Sequence, residues 1–350
     1  MMKTWRFGII GCGAISDFHA RAIQDLKNAK LVAACSRAPA NTARISREFG
    51  ATPYDNAEAM LDRKDIDIVT ICTPSGAHLE YVRMAAERGR HVIVEKPLET
   101  TLLRCDEAIR ACRKAGVTLG VIFPSRFHEA SALVKQAVDT GRLGRITLGD
   151  AYVKWWRTQD YYDKGGWKGT QKLDGGGALM NQSIHNVDLL QWFMGRVTSV
   201  ASFTATLAHE RIEVEDTAVA ALRFESGALG VLEGATSAFP GFLKKIEISG
   251  TQGTVVLEEE DILVWSFARE EKGDAGIREK FARRTSGKGG AADPMAIKHD
   301  GHRRQIGEFL QALESGREPL VNGEEGRKSV EIVLAVYASQ AQGRAVALPL

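Results

Sequence analysis

Residues 5–16 read Trp5-Arg6-Phe7-Gly8-Ile9-Ile10-Gly11-Cys12-Gly13-Ala14-Ile15-Ser16, a short apolar run that stops on paired glycines and passes into the amphipathic segment 16–27. The spacing is Gly-x-Gly-x-x-Ser. Gly11 allows a tight turn, Gly13 lets the backbone approach an anion, and the small Ser16 lets the following helix pack on the strand. The helix N-terminus then points its unpaired N–H groups at that anion. Gly11, Gly13, Ala14 and Ile15 are therefore candidate contacts to the pyrophosphate of a dinucleotide.

Outward from this turn, uniformly apolar runs recur at 31–35, 66–72, His91–Val94 and 118–122. Helix-like segments separate them, at 40–49, 56–61, His78–Glu87 and Leu102–Ala115, with Gly89 and Gly116 where helices should stop. Apolar strands alternating with helices predict a parallel sheet covered on both faces. The expected class is thus α/β, with a doubly wound Rossmann sheet over residues 1–122. The rhythm changes over 123–350. A helix at 128–140, a strand at 145–155, a Gly- and aromatic-rich loop at 157–177 and a helix at 178–193 come first. Strand-like stretches with short turns follow, at 197–208, 216–225, 228–238, 243–249, 254–258 and 262–265. Consecutive strands with short turns predict an antiparallel sheet. The charged segment 269–298 reads as a mobile excursion and its basic cluster 280–288 as a solvated loop. Residues 299–314 and 326–342 return to helical periodicity.

A length of 350 residues suits two domains. Forty-six basic against 44 acidic side chains leave a net charge of +2, which makes no electrostatic case for nucleic acid or an anionic membrane. No apolar run reaches bilayer length, and the N-terminus lacks the pattern of a secretory leader. The five cysteines, Cys12, Cys35, Cys72, Cys105 and Cys112, include no Cys-x-x-Cys pair and suit free thiols in a reducing compartment. A cytoplasmic location is expected.

The second strand ends at Ser36-Arg37, where an acidic residue would contact the ribose of NAD. A hydroxyl and a guanidinium there suit a 2′-phosphate, so the cofactor is NAD or NADP with a lean toward NADP. The third apolar run leads to Thr73-Pro74 and His78, at the carboxyl edge where such sheets bind ligands. The next strand ends in Glu95-Lys96-Pro97, where Pro97 stiffens the chain, with a cis bond allowed, and holds Lys96 at the same edge, so that Glu95 and Lys96 are candidate cofactor contacts. A desolvated lysine there suits proton transfer at a carbinol oxygen. In the second domain, Asn181, His185 and Asp188 share one face of a largely apolar helix, and a polar stripe on a buried helix needs a purpose. The aromatic loop before that helix, with Arg157, Trp167 and Lys168, has surfaces suited to sugar rings and anionic groups, and Arg126 is a further pocket candidate. His299-x-x-His302 has helical ligand spacing without a third ligand, so no metal site is assigned.

Taken together, Gly11-x-Gly13, Thr73-Pro74 with His78, Glu95-Lys96-Pro97, Arg126-Phe127, and Gly175-Gly176-Gly177 through His185-x-x-Asp188 resemble the Gfo/Idh/MocA family over nearly the whole chain. The resemblance implies an NAD(P)-dependent oxidoreductase acting on a hydroxyl of a sugar, polyol or nucleotide sugar, bound between the domains. It implies Lys96 and His185 as acid–base groups, with Asn181 orienting substrate and Asp188 steadying the histidine. It further implies a second α/β domain over residues 123–350 with an open, mainly antiparallel sheet, which serves substrate binding and builds a homodimer or homotetramer. Many members carry an aspartate four residues before the histidine, and Asn181 in that place resembles the nucleotide-sugar branch that oxidises a 3-hydroxyl. Two alternatives stand beside this. One is a redox-neutral enzyme that oxidises a sugar transiently with tightly held cofactor. The other is a non-catalytic nicotinamide sensor, against which the presence of both Lys96 and His185 argues.

Overall fold

A computed structural model describes residues 3–282 and 298–350. The chain divides into two compact units, one of residues 1–124 with 298–330 and one of 125–297 with 331–350.

In the first unit, strands β1 (Trp5–Ile10), β2 (Ala29–Cys35), β3 (Thr52–Tyr54), β4 (Ile68–Ile71), β5 (His91–Val94) and β6 (Leu119–Val121) alternate with helices. The helices are α1 (Ala14–Gln24), α2 (Pro39–Phe49), α3 (Ala57–Leu61), α4 (His78–Glu87) and α5 (Leu102–Ala115). The sheet order is β3-β2-β1-β4-β5-β6, all parallel. The central strands are mainly apolar because helices cover both faces: Phe7, Ile9, Ile68 and Ile93 have essentially no exposed surface. β3 escapes sequence reading because it is three residues long, contains Pro53 and lies at the sheet edge.

The sequence boundary at residue 123 needs one correction, since the later segment 298–330 packs with the first unit. Helix α10 (Asp300–Ser315) carries Ile306, Phe309 and Leu310 at helical spacing, and all three join the core around β1. Burying each contributes about 1.5–3 kcal/mol. Gln305, on the same helix, completes the sheet's open edge. Its Nε2 donates to the Val121 carbonyl at 2.7 Å, and its Oε1 accepts the Phe123 N–H at 2.9 Å.

The second unit contains β7 (Ile146–Lys154), β8 (Val197–Ala205), β9 (Thr217–Phe224), β10 (Leu229–Ala235), β11 (Lys245–Gly250), β12 (Gly253–Glu258), β13 (Asp261–Phe267) and β14 (Val346–Ala347). Their order is β13-β12-β11-β7-β10-β9-β8-β14, antiparallel except for the β7–β10 pair. Helices α6 (Glu129–Asp139), α7 (Gln159–Asp163), α8 (Ile184–Met194) and α9 (Asp274–Ala282) accompany them, and α11 (Gly323–Gln342) runs through the boundary at residue 330. Strict alternation of buried and exposed residues along β9 marks a sheet with one covered face. The cover is the segment 178–194: a Cβ on Gly149 would strike Met194, and one on Gly234 would lie 2.6 Å from Leu179.

Segment 269–298 departs from the expected excursion over its first half. Asp274 opens α9 and accepts two hydrogen bonds from Arg142, at 2.8 and 2.7 Å, and one from the Trp265 indole at 2.8 Å. The rest of that segment and most of the basic cluster 280–288 lie outside the described residues. Among the described residues no helix is long and apolar enough to cross a membrane, and all five cysteines are free and buried.

Candidate active site

In the first unit, Gly11 has φ +94°, and a Cβ there would sit 2.6 Å from the Cys72 carbonyl group, so both backbone shape and contact demand glycine. Gly13, directly before α1, is exposed, and a Cβ there would meet nothing within 4 Å. No side chain caps α1. An open glycine at an uncapped helix N-terminus fits a pyrophosphate. Thr73 adds to the fit, since its hydroxyl is buried yet has no hydrogen-bond partner among the described residues. At the end of β2, Ser36 Oγ accepts the Ala38 N–H at 3.2 Å, which leaves its proton to donate, and Arg37 is exposed beside it.

His78 is fully buried and binds the two loops together. Its Nδ1 lies 2.9 Å from the Pro97 carbonyl and its Nε2 3.0 Å from that of Thr73. It positions Thr73-Pro74 against the turn after Lys96. The Lys96–Pro97 peptide is cis, and Lys96 is half-buried at the end of β5. Glu95, expected at the cofactor, points into the protein. Its Oε1 lies 2.8 Å from His19 Nε2 and 3.7 Å from His302 Nε2, and its Oε2 accepts the Lys96 N–H at 3.1 Å. Burial disfavours its charge, but hydrogen bonds from His19 and His302 outweigh that and hold it well below the usual carboxylate range. His19 escaped sequence reading. Burial favours its neutral ring, while Cys72 and Glu95 outweigh burial and push it up to about 10. The His299–His302 pair has separate partners, His299 meeting Asp25 at 2.8 Å.

In the second unit the expected helix opens as a π-helical turn, Ala178–Ser183, before α8. The three glycines ahead of it have distinct reasons. Gly175 takes φ +77°, a Cβ on Gly176 would strike the Tyr337 hydroxyl, and one on Gly177 would fall on the Glu215 carbonyl oxygen. Glu215 caps the turn, accepting N–H bonds from Gly177 and Leu179 and the Tyr337 hydroxyl, each at 2.9 Å. Burial raises its carboxyl to about 7 against those three donors.

This capped segment carries Asn181 and His185, both half-buried. Asn181 Nδ2 donates to Asp174 Oδ1 at 2.6 Å, and Asp174 Oδ2 accepts the Gly169 N–H at 2.8 Å. Asp174 carried no sequence signal, being a lone loop carboxylate. It places a buried acidic group beside the amide that stands where an aspartate is common in the family. Asp188, expected to steady His185, makes a bidentate pair with Arg126, so two separate candidates form one buried unit. The aromatic loop is partly packing: Tyr162 is buried with its hydroxyl 2.8 Å from Thr236 Oγ1, and Arg157 is buried over Trp155. Tyr161, Trp167 and Lys168 stay half-buried, with Lys168 Nζ 3.7 Å from the Tyr161 ring centre and Gln182 donating to Tyr161 at 3.2 Å.

Residues 5–123 match the profile described as "Oxidoreductase family, NAD-binding Rossmann fold", and residues 131–256 match the GFO/IDH/MocA C-terminal domain. The solved WlbA dehydrogenase from Bordetella pertussis, in complex with NADH and UDP-GlcNAcA, is 36% identical with a TM-score of 0.90, over 99% of this chain and 98% of that one. The WlbA dehydrogenase from Chromobacterium violaceum, with the same two ligands, is 34% identical with a TM-score of 0.89, over 99% and 97%. Myo-inositol 2-dehydrogenase of Thermotoga maritima is 28% identical over 98% of each chain. With a dinucleotide turn that fits its ligand and both halves of the chain matched, the protein belongs to the GFO/IDH/MocA family of NAD-binding oxidoreductases.

Proposed function

We propose that this protein is a dehydrogenase or reductase that interconverts a secondary hydroxyl and a ketone on a sugar, polyol or nucleotide sugar. The observation that carries it is the open Gly11-x-Gly13 turn combined with a lysine at the end of β5 and a histidine on the capped helix of the second unit. The nicotinamide supplies the hydride acceptor when bound. His185 takes the hydroxyl proton as the C–H bond breaks, and Lys96 donates a hydrogen bond to the same oxygen, stabilising its developing charge. Asn181, anchored by Asp174, orients the substrate's other hydroxyls. The higher identity to the two UDP-GlcNAcA-binding relatives than to the inositol enzyme favours a nucleotide-sugar substrate. Those relatives hold NADH, which supports NAD as cofactor. The Ser36-Arg37 edge suits a 2′-phosphate as well, and the ratio of kcat/KM for the two cofactors decides between them.

We further propose that the protein works in the cytoplasm, in keeping with its free cysteines, and as a homodimer or homotetramer through the second sheet. That sheet's uncovered face exposes Phe203 (81%), Val219, Leu148 and Leu229 in cross-strand pairs, an apolar surface that a subunit would bury. Light scattering reads the assembly directly.

The test of the chemistry is a screen of UDP-GlcNAcA, inositols and free sugars with NAD and NADP, following reduced-nicotinamide absorbance and products together. Steady absorbance change with ketone formation is expected. Product without net absorbance change would identify the redox-neutral alternative, and tight cofactor binding without turnover the sensor. Lys96→Met should lower kcat by roughly a hundredfold or more.

A further inference from the structure

Four elements of the first unit meet in a buried polar cluster. α1 supplies His19, β4 supplies Thr70, the end of β5 supplies Glu95, and α10 supplies His302. His19 bridges two of them, with Nδ1 2.7 Å from Thr70 Oγ1 and Nε2 2.8 Å from Glu95 Oε1. His302 approaches the same carboxylate oxygen at 3.7 Å and packs its ring 5.4 Å from that of His19. None of the four residues is more than 5% exposed. The donor atoms of His19, Glu95 and His302 lie within 4.8 Å of one another, the composition of a metal site. Two ligands around one tetrahedral zinc stand about 3.3 Å apart, however, so the 2.8 Å His19–Glu95 contact is a hydrogen bond rather than a shared ion.

A carboxylate this buried would take up a proton unless a cation faced it. The imidazole of His19 supplies that partner, and Thr70 orients it. The other oxygen of Glu95 reaches back to the N–H of Lys96, the next residue. We propose that Glu95, anchored by His19 at 2.8 Å and approached by His302 at 3.7 Å, is a positioning residue for Lys96: it fixes the lysine's backbone through the Lys96 N–H and puts a carboxylate on the adjacent residue. The groups facing this carboxylate are His19 from α1, His302 from α10 and the N–H of Lys96; behind His19 lie Thr70 from β4 and Cys72 just after that strand. His299, one turn earlier on α10, is paired with Asp25. This inference rests on the assignment of Lys96 as an acid–base group.

Two variants test it. Glu95→Gln keeps the shape and removes the charge, while His302→Ala leaves the His19–Glu95 bond in place. In the full-length protein, the pH dependence of Lys96 acetylation by trace acetic anhydride, read by peptide mass spectrometry, reports the lysine without any substrate. Its midpoint should fall by about one pH unit in E95Q and by less in H302A, and the more conservative His302→Gln should recover most of the difference. The alkaline limb of kcat with NAD and UDP-GlcNAcA should move the same way, while NADH affinity, read by fluorescence, stays within about threefold because the Gly11–Gly13 turn is untouched. Unchanged midpoints in both variants overturn the inference while leaving the role of Lys96 intact. Full turnover in K96M removes that role, and this inference with it. Failure of both E95Q and H302Q to fold would make the cluster a core support and also overturn it.

Discussion

The guanidinium of Arg126 holds Asp188 by two parallel hydrogen bonds, Nε and Nη2 each standing 2.7 Å from a separate carboxylate oxygen, with both side chains buried. This fork joins the start of the second unit to the helix that carries His185. Removing one partner leaves a buried charge without its counterion, so Arg126→Met should lower stability by about 3–5 kcal/mol in urea unfolding. The double variant R126M/D188L, which replaces the pair with apolar volume, should regain most of that loss. If R126M costs under about 1 kcal/mol, the pair is not what secures the helix.

The two glycines of the dinucleotide turn should separate folding from binding. Gly11→Ala forces a side chain into the Cys72 backbone at a left-handed φ, so it should destabilise the first unit measurably. Gly13→Ala meets only open space, so its melting temperature should match the parent's while NADH affinity falls by roughly tenfold or more, worth about 1.4 kcal/mol. Calorimetry on the variants with and without NADH checks both. Unimpaired NADH binding in G13A would place the pyrophosphate elsewhere.

Glu215 should give the second unit a distinctive pH dependence. Its carboxyl is raised from 4.5 to about 7 by burial, against the bonds donated by Gly177, Leu179 and Tyr337. Between those two pH values the folded state holds a proton that the unfolded chain has released. Stability contributed by this group therefore falls as pH rises from 4.5 toward 7, by up to about 3 kcal/mol. Glu215→Gln removes the titration, so the unfolding free energy of the variant should lose this slope across the window. Parallel pH curves for parent and variant would show that Glu215 stays ionised throughout.

Much of the site's scaffold was legible because it is written locally. Trp5–Ile10 and His91–Val94 are apolar apart from Arg6 and His91, so their identity as buried parallel strands follows from composition, and the glycines at 11 and 13 mark the turn. His185 sits on a helix legible from its apolar content between Gly177 and Gly195 rather than from a single apolar face. The π-helical opening of that segment was not legible, because it depends on the Glu215 carboxylate and carbonyl gripping the turn from more than 30 residues away. The partners of Glu95 were not legible for a related reason: nothing in Glu95-Lys96-Pro97 says which way the carboxylate turns.

By itself, then, the sequence determined the elements, the dinucleotide turn and the residue types available for proton transfer, since these follow from nearest-neighbour sterics and the burial of periodic apolar faces. Tertiary structure alone decided which charges meet. His19 finds Glu95 across 76 residues, Arg126 finds Asp188 across 62, and α10 returns to the first unit's core through Ile306 and Phe309. Such pairings arise because a buried charge must find a partner wherever the packed chain brings one, and no local pattern records where that will be.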